Sequence, residues 1–181
     1  MLGGSGLINF NLLISCARRM ENEACSEVWF LLSEVGDENP AVERTDVSGL
    51  IIAKTSLDPF QAVQKLRDLL MRNPEEFRYT LKIVPIELTV PTRIERIEEA
   101  VRVLSEKIDI NETFRVTVEK RHSQISTREI IDVAAKHVNR KVNLEKPDKI
   151  VLIEVVGRVT GVSVIKPNDI LSVVKEKAKL G

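Results

Sequence analysis

The fold of this chain is decided by two neighbouring stretches, TFRVTVEKRHSQISTREI (113–130) and VNLEKPDKIVLIEVVGRVTGVSVI (142–165). Within residues 114–119 apolar side chains alternate with polar ones. This period of two predicts a strand with one buried side and one side facing water. Because the strand ends in Lys120 and Arg121, it brings basic side chains to the surface.

A helix and two more strands follow this first strand. Ser126 and Glu129 have the spacing of a capping box at the head of a helix. Residues 150–156 are apolar at nearly every position, which predicts a central strand covered on both faces. Residues 159–165 form a second strand, joined to the first around Gly157-Arg158. The C-terminal half therefore has the pattern of an α/β domain with a mixed sheet.

The N-terminal half has the order strand, helix, strand, helix, strand. Asp58 and Pro59 suit the cap and the first position of the second helix, and Asn73-Pro74 ends it. The five segments are predicted at 11–17, 21–32, 49–54, 59–73 and 79–90. This β-α-β-α-β order resembles a truncated ferredoxin-like fold.

A domain boundary is predicted at residues 90–92, where Thr92 and Glu95 form a second capping-box pattern. The chain is therefore expected to be α+β, with a ferredoxin-like domain over 1–90 and the α/β domain over 91–181. A C-terminal amphipathic helix at 169–180 is assigned to the second domain. The opening residues 1–6 are rich in glycine and resemble a disordered start or an added tag, with no phosphate-binding role.

Charge is uneven along the chain, although the net charge is zero. Residues 1–90 hold 9 Lys and Arg against 13 Asp and Glu, whereas residues 91–181 hold 18 against 14. This asymmetry favours contact between a polyanion and the C-terminal half, because neutralising phosphates dominates nucleic-acid affinity. An ordinary solvated surface remains the alternative.

Signals for a secreted or membrane protein are absent from the sequence. Cys16 and Cys25 are too few for a disulfide framework or a zinc cage, so buried and reduced thiols are expected. No apolar run is long enough to cross a bilayer, and no signal-type segment begins the chain. A cytoplasmic location is the resulting expectation.

Catalytic and cofactor motifs are also absent. The sequence has no GxGxxG after a strand, no GxxxxGK[ST], no GxSxG and no His/Cys/Asp cluster at metal-ligand spacing. We therefore expect no catalytic residue, metal or cofactor, and we expect His122 and His137 to be surface groups. Aromatic residues make up only 4% of the chain, and Trp29-Phe30, Phe60 and Phe114 are predicted in the core, which disfavours base stacking on a sheet.

A basic helix is the best candidate for binding RNA. Arg128, Asp132, Lys136 and Arg140 recur every four residues and would form one stripe. The alternative is a salt-bridged solvent face, in which Asp132 pairs with its neighbours for about 0.3–0.5 kcal/mol per pair. Together with the neighbouring basic residues and the helix start, the predicted RNA-binding set is Lys120, Arg121, Ser126, Arg128, Lys136, Arg140 and Lys141.

The ordered set of residues over about 92–168 resembles a THUMP domain, a tRNA-binding module of several RNA-modifying proteins. The matching positions include the strand from Phe114 to Arg121, the Pro147-Asp148 pair, and Gly161-Val162-Ser163. The resemblance implies a clamp for the acceptor end of tRNA, with the basic residues on the RNA backbone and Pro147-Asp148 fixing a turn. The ferredoxin-like segment is the usual companion of this module.

The layout is similar to the stand-alone THUMP adaptors that assist the tRNA cytidine acetyltransferase in making N4-acetylcytidine. The expected function is therefore a non-catalytic adaptor that binds tRNA and presents it to this enzyme as its partner. Two alternatives remain open at this point. The chain could itself be an RNA-modifying enzyme, or it could be a protein-interaction module that dimerises through a sheet edge.

Overall fold

The structure is a computed structural model that describes residues 9–181. The elements in chain order are β1 (Leu12–Cys16), α1 (Glu21–Glu34), β2 (Ala41–Arg44), β3 (Leu50–Lys54), α2 (Pro59–Arg72), β4 (Thr80–Pro85), β5 (Leu88–Pro91), α3 (Ile94–Leu104), β6 (Thr113–Arg121), α4 (Thr127–Lys136), β7 (Lys141–Val142), β8 (Lys149–Val156), β9 (Val159–Ile165), β10 (Leu171–Ser172) and α5 (Val173–Ala178). The predicted α+β class is confirmed. The prediction for residues 1–6 lies outside the described residues.

Two compact units make up the chain, and each has its own five-stranded sheet. The first unit contains the chain up to Ile86 together with Asn168–Gly181, and the second contains Glu87–Pro167. This division differs from the predicted one, because the C-terminal segment was assigned to the second domain. In the structure Leu171 pairs with Ile83, so that β10 extends the first sheet and α5 follows it there.

The first unit is an antiparallel sheet in the order β10-β4-β1-β3-β2, with α1 and α2 packed on it. Asp58 caps α2 as predicted, since its side chain accepts a hydrogen bond from the Gln61 backbone N–H at 3.0 Å. Such a cap stabilises a helix by about 1 kcal/mol. The strand-helix order of a ferredoxin-like unit is confirmed, with β2 as an added edge strand.

The second unit is a mixed sheet in the order β5-β9-β8-β6-β7. Strand β8 is central and all eight of its residues are buried, as predicted from its apolar sequence. Strands β6 and β8 are parallel and are connected through α4. One core cluster joins Phe114 of β6 and Val151 of β8 to Ile97 of α3 and Ile130 of α4, so both helices pack on the same face of this sheet.

Three short strands, β2, β7 and β10, were not predicted. They contain four, two and two residues. Strand β2 pairs with the next strand, β3, whereas β7 and β10 pair with β6 and β4, which are distant in sequence. The predicted strand at 79–90 is two strands, β4 in the first sheet and β5 in the second. The predicted capping box at Thr92 is wrong, because the Thr92 hydroxyl lies 2.8 Å from that of Thr160 and does not cap α3.

The prediction that the aromatic residues are core residues is wrong for two of the four. Phe114 is buried and Phe60 is half-buried, whereas the side chains of Trp29 and Phe30 on α1 are 52% and 43% exposed. The buried stripe of α1 is instead formed by Ala24, Val28, Leu31 and Leu32.

Both cysteines are free thiols, as expected, but Cys25 is half-buried and not buried as predicted. Cys16 is buried, and burial raises the pKa of its thiol to about 11. Burial also raises the pKa of Cys25. Neither thiol therefore ionises readily at neutral pH. Among the described residues, no helix is both long and apolar enough to span a membrane.

Candidate nucleic-acid interface

One edge of the second sheet collects the ends of several elements. Because β6 and β8 are parallel, their last residues, Arg121 and Val156, lie side by side. The Gly157 N–H donates to the Arg121 carbonyl at 2.9 Å, and the Thr92 N–H donates to the Arg158 carbonyl at 2.9 Å. We call this the carboxyl edge and define it as residues 91–96, 120–128 and 156–159.

Both helices of the second unit begin at the carboxyl edge. Helix α4 begins at Thr127, six residues after β6 ends, and α3 begins at Ile94, after β5 has paired Pro91 with Val159. Ser126 caps α4 by accepting from the Glu129 N–H at 3.2 Å, which confirms the capping role predicted for Ser126. The N-cap residue of α3, Arg93, makes no side-chain capping hydrogen bond. Two positive helix ends therefore face the same edge, an arrangement that favours anions.

Several cationic side chains lie exposed at this edge. Arg128 is 86% exposed and its Nε lies 3.4 Å from an Asp132 carboxylate oxygen, a weak contact on the helix surface. Lys120 is exposed and its Nζ donates to the Ile125 carbonyl at 2.9 Å. Arg93 and Arg158 are exposed as well. These cations can exchange their present contacts for phosphate oxygens at small cost.

Arg121 has a different role from its neighbour Lys120. A guanidinium nitrogen of Arg121 lies 2.6 Å from a carboxylate oxygen of Glu154, whose side chain is only 2% exposed, while the Arg121 side chain is 21% exposed. The pair joins β6 to β8 across the register in which Glu119 opposes Glu154. Arg121 therefore neutralises a buried carboxylate and has a structural role, and its contact with RNA stays a prediction.

The other three predicted residues lie at the opposite end of the sheet, the amino edge, which we define as residues 104–115 and 136–149. Lys141 of β7 pairs with Thr113, the first residue of β6. Strand β6 has nine residues, so about 30 Å separates its two ends. The seven predicted residues therefore divide into four at the carboxyl edge and Lys136, Arg140 and Lys141 at the amino edge.

Most cations of the amino edge are engaged by the protein itself. Arg140 Nε donates to the carbonyls of Ile108 and Asp109 at 3.1 and 2.9 Å, and its Nη1 donates to the Asn139 carbonyl at 2.8 Å. Lys136 Nζ lies 3.1 Å from a carboxylate oxygen of Glu98. The predicted stripe is therefore interrupted, because α4 ends at Lys136 and Arg140 lies beyond the helix. Lys141 remains exposed.

Two histidines were predicted to be surface groups, and one of them is. His122 is exposed and follows β6 with a positive φ of 53°. His137 is half-buried, and its Nε2 lies 3.0 Å from a carboxylate oxygen of Glu98. Hydrogen bonds from His137 and Lys136 lower the pKa of Glu98. These contacts join α3 to the end of α4 and have a structural role.

The Pro147-Asp148 pair fixes the start of the parallel strands. A carboxylate oxygen of Asp148 accepts from the Thr113 N–H at 2.8 Å and from its hydroxyl at 3.1 Å. These hydrogen bonds lower the pKa of Asp148. Nearby, Lys149 Nζ lies 2.7 Å from a carboxylate oxygen of Glu112 and lowers the pKa of that group. The amino edge is thus built by paired charges.

The charge of the second unit is smaller than the division into sequence halves indicated. Residues 87–167 hold 15 Lys and Arg against 13 Asp and Glu. Three lysines that contributed to the earlier excess, Lys175, Lys177 and Lys179, belong to the first unit. The local placement of cations at the carboxyl edge is therefore a stronger indication of RNA binding than the net charge of the unit.

A family model for the THUMP domain matches residues 91–165, the span that contains β5 to β9 with α3 and α4. These residues form a THUMP domain. The resemblance predicted from residues 92–168 is thereby confirmed for this part of the chain. A search of curated protein sequences gave no significant match.

This chain spans about half the length of the solved structures that share its fold. PH1313 from Pyrococcus horikoshii Ot3 matches 87% of this chain and 54% of its own, with a TM-score of 0.64 and 20% identity. TrmN from Thermus thermophilus matches 84% and 44%, with a TM-score of 0.53 and 13% identity. A 4-thiouridine synthetase, solved as an RNA complex with bound ATP, matches 90% and 42%, with a TM-score of 0.54 and 12% identity. At sequence identities this low, the structural similarity shows a shared fold and nothing about function.

Two cations of the carboxyl edge were missed in the sequence. Arg158 lies in the β8-β9 hairpin and Arg93 precedes α3. Neither belongs to the four-residue repeat of charged side chains that begins at Arg128. Arg158 directly follows Gly157, whose positive φ of 60° is typical of a tight turn, so the hairpin itself was the available signal. Among the described residues, no group of three His, Cys, Asp or Glu could hold a metal ion.

Proposed function

We propose that the chain is a tRNA-binding adaptor whose carboxyl edge holds phosphates of the acceptor end. In this proposal a separate enzyme, the tRNA cytidine acetyltransferase that forms N4-acetylcytidine, modifies the bound tRNA. The presence of a THUMP domain supports the binding role, and the resemblance in layout to stand-alone THUMP adaptors supports the partner.

The main observation that supports phosphate binding is that two helix N-termini and several exposed cations lie at the same edge of the sheet. The capped start of α4, the start of α3 and the side chains of Lys120, Arg128 and Arg158 lie at this edge. A helix N-terminus offers backbone N–H groups and a positive end to a phosphate. Exposed Lys and Arg add the charge that displaces counterions from the RNA backbone.

Recognition in this mode depends on the RNA backbone and its shape. The second unit contains one aromatic residue, Phe114, which is 2% exposed and lies in the core. This unit therefore has no aromatic side chain on which a base could stack. A single-stranded end is flexible enough to bring consecutive phosphates to a compact edge, and Arg side chains can stack on its bases. The affinity should therefore fall steeply with salt and vary little with sequence.

Relatives of the same fold support a place in tRNA modification. One structural neighbour is a 4-thiouridine synthetase in complex with RNA, and another is TrmN from Thermus thermophilus. The proposal assigns the chemistry to a separate enzyme because this chain carries no cofactor or nucleotide-binding motif in its sequence.

Reconstitution of acetylation tests this function. Purified tRNA cytidine acetyltransferase, acetyl-CoA and tRNA are incubated with the chain, without it, and with a variant in which Lys120, Arg128 and Arg158 are changed to Ala. We expect N4-acetylcytidine to form efficiently only with the wild-type chain. Full acetylation without the chain would overturn the adaptor role, and acetylation by the chain alone would identify it as an enzyme.

A further inference from the structure

Helix α1 of the first unit presents the exposed aromatic residues of the molecule. Trp29 is 52% exposed and Phe30 is 43% exposed, whereas the other five aromatic residues of the chain are buried or half-buried. The opposite side of α1 is fully packed, with Val28, Leu31 and Leu32 at 0% exposure. The exposed pair lies outside the core cluster of its own unit, and it forms an apolar patch open to solvent.

Helix α1, which carries this pair, is itself acidic, and at its end Glu34 lines a surface pocket together with Lys65 and Arg72 of α2. Helix α1 has the sequence ENEACSEVWFLLSE, with four glutamates and no lysine or arginine. Glu23 and Glu34 are exposed on either side of the aromatic pair, and Glu38 is exposed in the loop that follows. We call Glu23, Trp29, Phe30 and Glu34 the α1 face.

The other two glutamates of α1 are occupied within the first unit. Glu21 accepts from the Gly49 N–H at 2.8 Å, and hydrogen bonding to this backbone group lowers its pKa. Glu27 accepts from the N–H groups of Arg78 and Thr80 at 2.7 and 2.8 Å. The negative charge that remains accessible is therefore concentrated at the two ends of the aromatic pair.

RNA is an unsuitable occupant of this face. Base stacking on Trp or Phe in RNA-binding proteins is accompanied by cations that neutralise the adjoining phosphates. Here the flanking charges have the sign that repels phosphate. Arg44 donates a hydrogen bond to Asn22 at 3.2 Å, near the start of the helix. Asn22 lies seven residues before Trp29, about 10 Å along the helix, so this contact holds Arg44 away from the aromatic pair.

We propose that the α1 face is the docking surface for a basic protein, the RNA-modifying enzyme itself. Trp is one of the residue types enriched among the energetically dominant positions of protein interfaces. An enzyme that acts on tRNA carries a basic surface beside its substrate site, and the glutamates of the α1 face complement that charge. This inference rests on the adaptor function proposed above.

The two proposed binding surfaces belong to different units. The RNA-binding carboxyl edge belongs to the second unit, and the α1 face belongs to the first. Opposite charges on the two surfaces direct the polyanion to one and the basic protein to the other.

Fluorine NMR tests the inference directly, because Trp29 is the single tryptophan of the chain. Incorporation of 5-fluorotryptophan gives one resonance, which is recorded after addition of unlabelled tRNA cytidine acetyltransferase, and separately after addition of tRNA. We expect the enzyme to shift or broaden the resonance and tRNA to leave it unchanged. A response to tRNA with none to the enzyme would assign the α1 face to RNA and overturn the inference.

Calorimetry with variants gives the matched controls. Changing Trp29 and Phe30 together to Ala should weaken binding of the enzyme at least tenfold while tRNA affinity is kept. Changing Glu23 and Glu34 to Lys should weaken it severalfold, with the loss shrinking as salt is added. The control is Met71→Ala on α2, a side chain that is 40% exposed outside the α1 face and should have no effect.

The outcomes distinguish the inference from the function on which it rests. Equal enzyme affinity of the wild-type chain and the Trp29/Phe30 variant would overturn the docking surface and leave the adaptor role standing. Absence of enzyme binding by the wild-type chain would overturn both. Sedimentation equilibrium tests a third outcome. A dimer formed by the wild-type chain and lost in the Trp29/Phe30 variant would overturn the inference, because it would assign the face to a second copy of this chain.

Discussion

The two edges of the second sheet contain the same types of cationic residue but use them differently. At the amino edge Arg140 holds three backbone carbonyls and Lys149 is paired with Glu112, so the cations complete the fold. At the carboxyl edge Arg128 and Arg158 are exposed beside two helix N-termini. Basic composition alone therefore does not mark a binding surface, because the contacts of each cation decide whether it is available to a ligand.

Arg121 is the exception within the carboxyl edge, and its substitution should give the largest effect. Arg121→Ala leaves the buried carboxylate of Glu154 without its 2.6 Å partner. We expect a loss of about 3 kcal/mol in the free energy of unfolding, measured by urea denaturation. The neighbouring control Lys120→Ala should change stability by no more than about 0.5 kcal/mol.

The same pair limits which variants can test binding at the carboxyl edge. From the predicted RNA-binding set alone, a double change of Lys120 and Arg121 to Glu would be expected to weaken RNA binding in a folded domain. With Glu154 buried beside Arg121, that variant places two carboxylates together and should unfold the second unit. Wild-type stability of Arg121→Ala together with reduced tRNA affinity would return Arg121 to the binding set.

Arg140 provides the matching test at the amino edge. Arg140→Ala removes three hydrogen bonds to the carbonyls of Ile108, Asp109 and Asn139. The free energy of unfolding should fall by about 2 kcal/mol, because hydrogen bonds from a charged donor are among the stronger ones. Affinity for tRNA should be unchanged in the folded variant. A folded Arg140→Ala protein with weak tRNA binding would contradict the division between the edges.

Ser126 is expected to contribute to both stability and binding. Ser126→Ala removes the cap of α4, which accepts from Glu129 N–H at 3.2 Å, and should cost about 1 kcal/mol of unfolding free energy. Ser126→Asp keeps a capping oxygen but places a negative charge where phosphate is proposed to bind. The Asp variant should therefore be stable and bind tRNA more weakly than the Ala variant. Affinities are measured by filter binding. If the Asp variant bound tRNA more tightly than the Ala variant, the proposal that phosphate binds at the start of α4 would be wrong.

Acid should weaken the amino edge through Asp148. Hydrogen bonds from Thr113 hold the native pKa of Asp148 below its ordinary value of 3.8. A group with a lowered native pKa contributes stability that is present above the unfolded value and is lost as pH falls through the native one. Urea midpoints measured from about pH 6 to about pH 3 should therefore decline less steeply for Asp148→Asn than for the wild-type chain. Parallel declines would show that Asp148 is not linked to folding.

Local sequence signals predicted most of the elements. The alternation in β6, the apolar run of β8 and the caps Asp58 and Ser126 depend on residues within a few positions of each other. Short strands such as β10 depend instead on a partner far along the chain, as in the pairing of Leu171 with Ile83. The two residues of β10 carry no periodicity, so the sequence could not place the C-terminal segment with the first unit.

The candidate site was predictable only in part, for a related reason. Sequence spacing placed cations along α4 and β6 but could not show which of them meet a carboxylate or a carbonyl in the fold. The pairing of Arg121 with Glu154 spans 33 positions, and the bond from Arg140 to Ile108 spans 32. The exposure of Trp29 likewise depends on how α1 is rotated on its sheet, which the helical period alone did not fix.

The most direct test of the central claim compares tRNA affinity of the two edges across a salt series. One variant changes Lys120, Arg128 and Arg158 to Ala, and its matched control changes Lys136, Lys141 and Lys146 to Ala. Each is measured with intact tRNA and with tRNA that lacks its single-stranded acceptor end. The account predicts that the carboxyl-edge variant loses affinity for intact tRNA, that its salt slope falls by about 2, and that the control matches the wild-type chain. Loss of affinity in the amino-edge variant alone, or equal binding of both RNAs by the wild-type chain, would contradict it.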